Sequence, residues 1–218
     1  MGPTLLLDLD GTLVDSVPDL TSALNRLMAR RSLAPFAAAE TTRLVGDGVA
    51  KLVERAFAAR GLVPDSGAVA EFSADYGAHA AVATRLFPGV KETLTVLARD
   101  GWRLGVCTNK PEAASHDVLA AMGIAPLIAA VGGGDSFPVR KPDPKHLLAT
   151  LEQAGGVVGR AVMCGDHAND VAAARGAGLP CIFAGWGYGT PAMAEGATAV
   201  AQDVPAMAVI ARRLLGAG

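Results

Sequence analysis

The run Leu5-Leu6-Leu7-Asp8-Leu9-Asp10-Gly11 constrains this chain more than any other stretch. An apolar segment that stops at two carboxylates one residue apart, with a glycine directly after, reads as a buried strand ending at a functional edge. Carboxylates in that position are costly unless something pairs with them. If the extended form persists, Asp8 and Asp10 point to the same side and can reach one cation. A solvated turn carrying two incidental acids is the alternative that these residues alone leave open.

Past Ser16 the pattern turns helical. Leu20, Leu24, Leu27 and Met28 recur at helix spacing behind a Ser16 cap, with Pro18 in the first turn. A second helix is expected from near Gly48, with Leu52, Val53, Ala56 and Phe57 on one face. A third starts near Ser66 and carries Val69, Phe72, Tyr76 and Ala80. No strand signal interrupts residues 17–83. Residues 16–83 are therefore expected to form an inserted helical cap, and residues 1–15 and 84–218 an α/β core.

Leu86-Phe87-Pro88-Gly89 punctuates the return. Strands are then expected at 102–107, 127–131, 161–164, 181–184 and, briefly, 199–200. Helices are expected from 90, at 111–122, 144–154 and 168–177, and last at 204–215. Such alternation, with near-continuous apolar strands, means a Rossmann-like parallel sheet covered on both faces. In sheets of this kind the site lies beyond the carboxyl ends of the strands.

Four polar clusters fall at that edge: Asp8 with Asp10, Thr108-Asn109-Lys110, Arg140-Lys141-Pro142-Asp143-Pro144, and Gly165-Asp166-His167-Ala168-Asn169-Asp170. Packing gives no reason to collect them there. In this order they resemble the four motifs of the haloacid dehalogenase-like phosphatases. Asp8-Leu9-Asp10-Gly11-Thr12-Leu13-Val14-Asp15-Ser16 is similar to the first motif, Thr108 to the hydroxyl of the second, Lys141 to the lysine of the third, and Asp166 with Asp170 to the fourth. Val106-Cys107-Thr108-Asn109-Lys110-Pro111, Phe87-Pro88-Gly89-Val90 and Gly46-Asp47-Gly48 are similar to the phosphoglycolate phosphatase-like branch. His167 departs from that pattern, where small polar residues are more usual.

The resemblance implies a phosphatase that forms an aspartyl-phosphate on Asp8, with Asp10 as acid and then base. A phosphate monoester is largely a dianion, and Asp8 approaching it costs roughly 8 kcal/mol at about 4 Å and an effective dielectric near 20. Mg²⁺ held by Asp8, Asp166 and the backbone carbonyl of Asp10, with Lys141 alongside, would offset this. Asp170 either ligates the metal or holds Lys141. Thr108 and the backbone after Asp8, at Gly11 and Thr12, would bind phosphate oxygens. Asn109 positions the loop or substrate, or is a turn residue. His167 is a loop histidine or a substrate contact. Asp15 and Ser16 cap the first helix of the insert. Gly46-Asp47-Gly48 could meet the substrate's anionic end, with Arg43, Lys51 and Arg55 as assistants or as solvated charges.

Other activities stay open at this point: a phosphatase for sugar phosphates or pyrophosphate, a phosphosugar mutase, or a binding module without turnover. With 51% hydrophobic and 18% charged residues and a net charge of -2, the chain reads as folded and lacks the basic cluster of a nucleic-acid partner. No unbroken apolar run reaches a membrane span, and no secretory signal is recognisable at residues 1–3. Cys107, Cys164 and Cys181 each lie in an apolar strand-like run, as buried thiols of a reducing cytoplasm would. A small phosphate ester is the expected partner, and a monomer or homodimer the expected state.

Overall fold

The computed structural model describes residues 2–216. Its centre is β1 (Thr4–Leu7), flanked in parallel by β4 (Arg103–Cys107) on one side and β6 (Ala161–Gly165) on the other. With β5 (Ala130–Gly132), β7 (Cys181–Ala184) and β8 (Ala199–Ala201), the sheet runs β5-β4-β1-β6-β7-β8, every pairing parallel. The chain moves outward from β1 in one direction and then returns to continue in the other. The order of connection therefore reverses beside β1, and a crevice opens there at the carboxyl ends.

The strand sequence explains why β1 is central. Leu5, Leu6 and Leu7 are all fully buried. Leu5 and Leu7 join Leu94, Leu97 and Met207 on one face, while Leu6 joins Leu147, Leu151 and Met163 on the other. Side chains alternate along a strand, so an uninterrupted leucine run fits only between two covered faces. Helices α5 (Val90–Arg99) and α9 (Val204–Leu214) cover the first face, and α7 (Pro144–Gln153) and α8 (Ala168–Ala177) the second. Helix α6 (Glu112–Ala121) adds Val118 and Leu119 to the first cluster.

Between β1 and α5 lie α1 (Val17–Ala29), α2 (Ala38–Thr42), α3 (Val49–Ala58) and α4 (Ala68–Gly77). Their apolar stripes, among them Leu24, Leu27, Val53, Phe57 and Phe72, meet in a core continuous with that of the first face. This segment leaves and returns through a two-residue antiparallel ribbon, β2 (Val14–Asp15) against β3 (Arg85–Leu86).

Three local expectations change. Helix α2 escapes a periodicity reading because it is one short turn that buries only Thr41. Glu40 stabilises it by accepting the Ala37 N–H. The strand expected from residue 127 begins at Ala130, because residues Ala125–Leu127 form a 3₁₀ turn that carries Pro126 in its first positions. Ser16 does not cap α1 through its side chain, which is buried without a partner; Asp15 Oδ1 accepts the Val17 N–H at 3.3 Å instead.

Asp19 of α1 fastens the return of the ribbon. It is 4% exposed and accepts from the N–H of Ala83 at 2.9 Å, and from the N–H and Oγ1 of Thr84 at 2.7 Å each. Asp19→Ala strands these donors in a buried site and is expected to cost about 2–4 kcal/mol. Urea unfolding measures it. A loss under ~1 kcal/mol would mean that the junction is held by other contacts.

Candidate active site

Asp8 directly follows β1, and its Oδ1 accepts the Leu9 N–H at 2.7 Å and lies 3.0 Å from Lys141 Nζ. Lys141 stands in the loop before α7 and is 2% exposed. Its Nζ also donates to Asp170 Oδ1 at 2.6 Å. Burial opposes that ammonium, but the charges of Asp170 and Asp8 outweigh it and raise the lysine above its ordinary range. The Lys141 backbone N–H donates to His146 Nδ1 at 3.1 Å. Burial, and then the lysine charge, lower His146 to about 4, so its imidazole is neutral and able to accept.

The fourth strand cluster completes this floor. Asp166 follows β6 and is 3% exposed. Its Oδ1 accepts from Thr12 Oγ1 at 3.1 Å, and its Oδ2 from the N–H groups of Tyr188 at 2.8 Å and Gly189 at 3.3 Å. Burial, followed by the charges of Asp8 and Asp170, pushes Asp166 up to about 8. Asp170 has both oxygens engaged, Oδ1 by Lys141 and Oδ2 by the His167 N–H at 3.0 Å.

One oxygen from each of Asp8, Asp166 and Asp170 lies within 4.8 Å of the others. Three buried carboxylates against the one ammonium of Lys141 leave an excess of negative charge, and every donor atom is a hard oxygen. That set fits a divalent cation of the Mg²⁺ class. Asp10 is not part of this cluster. Its carboxylate accepts from Lys110 Nζ, at 3.1 Å to each oxygen.

Gly11 and Thr12 lie beneath Asp166. Gly11 has φ +81°, and a Cβ there would fall 2.3 Å from Asp166 Oδ2. The Gly11 N–H donates to Val14 O at 2.9 Å and the Thr12 N–H to Leu9 O at 3.3 Å. Their partners are thus within the turn, and the fully buried Thr12 hydroxyl serves Asp166. Thr108 lines the cavity above, its Oγ1 accepting the Lys110 N–H at 3.3 Å. Asn109 Nδ2 donates to the carbonyls of Lys141 at 3.0 Å and Gly46 at 3.1 Å, linking the third-motif loop to the helical segment.

The Gly46–Gly48 loop closes over the crevice. Gly46 has φ +123° and packs so tightly on His167 that a Cβ would lie 2.6 Å from its ring. Asn169 Nδ2 donates to Asp47 Oδ1 at 2.7 Å, and Arg55 pairs with the same aspartate. Hydrogen bonding from Asn169 and the Arg55 charge outweigh burial and keep Asp47 below the usual carboxylate range, although burial is the largest single influence on it. His167 stands at the start of α8, with its Nδ1 accepting the Asn169 N–H at 3.2 Å.

The cavity at this edge is about 390 Å³. Asp8, Asp10, Thr108 and Asp166 form its floor, and Leu20, Val49, Leu52 and Met193 supply apolar wall. Lys110, Tyr76, His146, Asn169 and Tyr188 were not singled out for these roles from the sequence. Lys110 and Asn169 lie inside recognisable motif stretches, but Tyr76 and Asp47, which they meet, come from the distant helical segment, and no local pattern identifies these contacts.

Comparison with known proteins agrees with this arrangement. The sequence matches the haloacid dehalogenase-like hydrolase family over residues 3–178. It is 42% identical over 212 residues to the phosphoglycolate phosphatase of Rhodospirillum rubrum, covering 93% of this chain and 88% of that protein. The phosphoglycolate phosphatase of Agrobacterium fabrum is 41% identical over 199 residues, covering 89% and 85%. The crystal structure of a predicted phosphoglycolate phosphatase from Haemophilus somnus superimposes with a TM-score of 0.88 at 29% identity, over 96% of this chain and 97% of that one. With a parallel sheet of this order and a family match that spans most of its length, the chain belongs to the haloacid dehalogenase-like hydrolases.

Proposed function

We propose that this protein is a Mg²⁺-dependent phosphomonoester hydrolase that removes phosphate from 2-phosphoglycolate by way of an aspartyl-phosphate on Asp8. The observation that carries the reading is the setting of Asp8. It is a carboxylate that lines the cavity, in contact with a buried lysine and beside two further buried carboxylates. An anionic nucleophile approaching an anionic phosphoryl group needs compensation of that kind.

In this mechanism an oxygen of Asp8 attacks phosphorus in line while the ester P–O bond breaks. Asp10 gives its proton to the departing oxygen, then takes one from the water that attacks the phospho-aspartate; the P–O bond to Asp8 breaks and phosphate leaves. Lys141 holds the nucleophile and meets the phosphoryl oxygens, and Asp170 keeps Lys141 in place. Thr108 Oγ1 donates to a phosphoryl oxygen. Asp8 and Asp166, with the Asp10 carbonyl, would hold Mg²⁺, which would supply charge neutralisation and orientation of the phosphoryl group.

Residues 16–83 act as a cap that closes over the core formed by residues 1–15 and 84–218, pivoting on the β2–β3 ribbon. The names of the relatives support phosphoglycolate as substrate. So does the apolar wall of Leu20, Val49 and Leu52, which leaves the hydroxyls of a sugar phosphate without partners there. Three buried free cysteines suit a reducing cytoplasm. Among the described residues, no helix is long and apolar enough to cross a membrane.

Phosphate release from 2-phosphoglycolate, sugar phosphates, nucleotides and pyrophosphate, each with Mg²⁺ and with chelator, tests the reading. The expected result is a kcat/KM for 2-phosphoglycolate at least ~10-fold above the others, abolished by chelator. A preference for another ester would leave the chemistry and replace the substrate. No metal-dependent release from any of them would overturn the proposal.

A further inference from the structure

Three cations line the cavity: Arg43, Arg55 and Lys110. Arg43 is exposed, and Arg55 is tied to Asp47 and to the Leu44 carbonyl. Only Lys110 is buried, at 5% exposure, and the phosphoryl-transfer steps leave it without a role. Its Nζ stands 3.1 Å from both oxygens of Asp10 and donates to Tyr76 Oη at 2.6 Å, over the Tyr76 ring at 4.5 Å.

The geometry points to Lys110 as the residue that determines specificity, by reading a carboxylate one methylene away from the ester oxygen. The inference rests on the phosphatase reading above. A leaving oxygen within hydrogen-bond distance of Asp10, about 2.8 Å, lies beside the ammonium that spans both Asp10 oxygens. In 2-phosphoglycolate the carboxylate is separated from that oxygen by a single carbon. It therefore comes within ion-pair reach of Lys110 Nζ while the phosphoryl group rests over Asp8. A longer substrate would carry its anion past Lys110, and Arg43 is the exposed cation of the lining that could meet it.

Tyr76 makes this reader conditional on the helical segment. It belongs to α4, is buried, and stacks on Phe72 at a ring separation of 5.8 Å. Its oxygen accepts from Lys110, which leaves the hydroxyl proton free to donate to the same carboxylate. The complete pair exists only with α4 seated over the core.

The test compares kcat/KM for 2-phosphoglycolate and for monoethyl phosphate, in Mg²⁺, for the wild type, Lys110→Met, Lys110→Arg, Tyr76→Phe and Arg43→Gln. Both substrates have alkyl leaving groups that need a proton, so any disturbance of Asp10 lowers both alike and cancels in the ratio. Lys110→Met is expected to reduce the phosphoglycolate-to-ethyl-phosphate ratio at least ~30-fold, chiefly through KM for phosphoglycolate. Lys110→Arg should recover part of it, and Arg43→Gln should leave it within ~3-fold. Tyr76→Phe keeps the ring and deletes only the hydroxyl, so it remains informative if Lys110→Met does not fold; a ~3–10-fold fall in the ratio is expected.

An equal loss on both substrates in Lys110→Met, or an unchanged ratio in Tyr76→Phe, would overturn the assignment to Lys110. So would a ratio that follows Arg43 instead. A wild type with no preference for phosphoglycolate over ethyl phosphate would remove the substrate reading and this inference together. A preference that survives Lys110→Met removes the inference alone.

Discussion

Asp8→Asn is expected to abolish phosphate release, lowering kcat by at least ~10⁴-fold while the protein stays folded. The side chains have the same shape. An amide oxygen can still accept from the Leu9 N–H and Lys141 Nζ, the two contacts that Asp8 makes. Lys141 keeps its hydrogen bond to Asp170, and Asp166 loses a repelling neighbour. Stability should therefore be unchanged or slightly higher. What disappears is the anionic oxygen that must bond to phosphorus. Quenching the enzyme during turnover of a radiolabelled phosphoester should leave no label on Asp8→Asn. Asp10→Asn is the informative contrast. It retains the nucleophile but cannot activate water, so an activated aryl phosphate should leave label on the protein while turnover falls ~10²–10⁴-fold. Turnover of Asp8→Asn within ~10-fold of wild type would sink the assignment of nucleophile, whatever the metal dependence.

The acidic floor could be anticipated because its residues sit where elements end. A leucine run reports a strand buried on both faces, and its end reports the sheet edge; repeated for β4 and β6, this brings Thr108 and Asp166 to the side of Asp8. The ion pair of Lys141 with Asp170 was open between two arrangements, since spacing on a helix does not say which oxygen faces the metal and which a lysine. The contacts of Lys110 with Asp10 and Tyr76 were not legible at all. Tyr76 read as one more apolar position of an amphipathic helix, and periodicity says which face of α4 is covered but not what covers it. The two-residue ribbon β2–β3 and the one-turn α2 are too short to have a period. In these places tertiary contact supplies the order that local sequence lacks.

Without a divalent cation, the metal-sensitive part of the thermal stability should fall as pH rises from about 4 toward 8, the net fall showing above about pH 6.5, and Mg²⁺ should restore it most at the high end. The cause is Asp166, pushed up to about 8 by burial and then by Asp8 and Asp170. A carboxylate whose folded pKa lies above its unfolded value binds a proton in the native state that the unfolded chain has released. Its contribution is fully present below the unfolded pKa of about 4 and is lost as pH climbs through the folded value. A rise from about 4 to about 8 corresponds to at most ~6 kcal/mol, or ~10–20 °C in melting temperature for a chain of this size. His146 acts in the opposite window. Burial lowers it to about 4, so its neutral form favours the fold above about pH 6.5, and that support is lost as pH falls toward 4. Because His146 contributes equally with and without metal, the informative quantity is the difference in melting temperature between Mg²⁺ and chelator at one pH. Protons compete with the cation for Asp166 at pH 5.5 and barely at pH 8.5, so the difference should be several degrees larger at the higher pH. Asp166→Asn should flatten that dependence, since an amide neither titrates nor offers the cation a charge. A metal effect of equal size at both pH values, or one unaltered in Asp166→Asn, would mean that the cation is held elsewhere and that Asp166 is not the group whose charge it offsets.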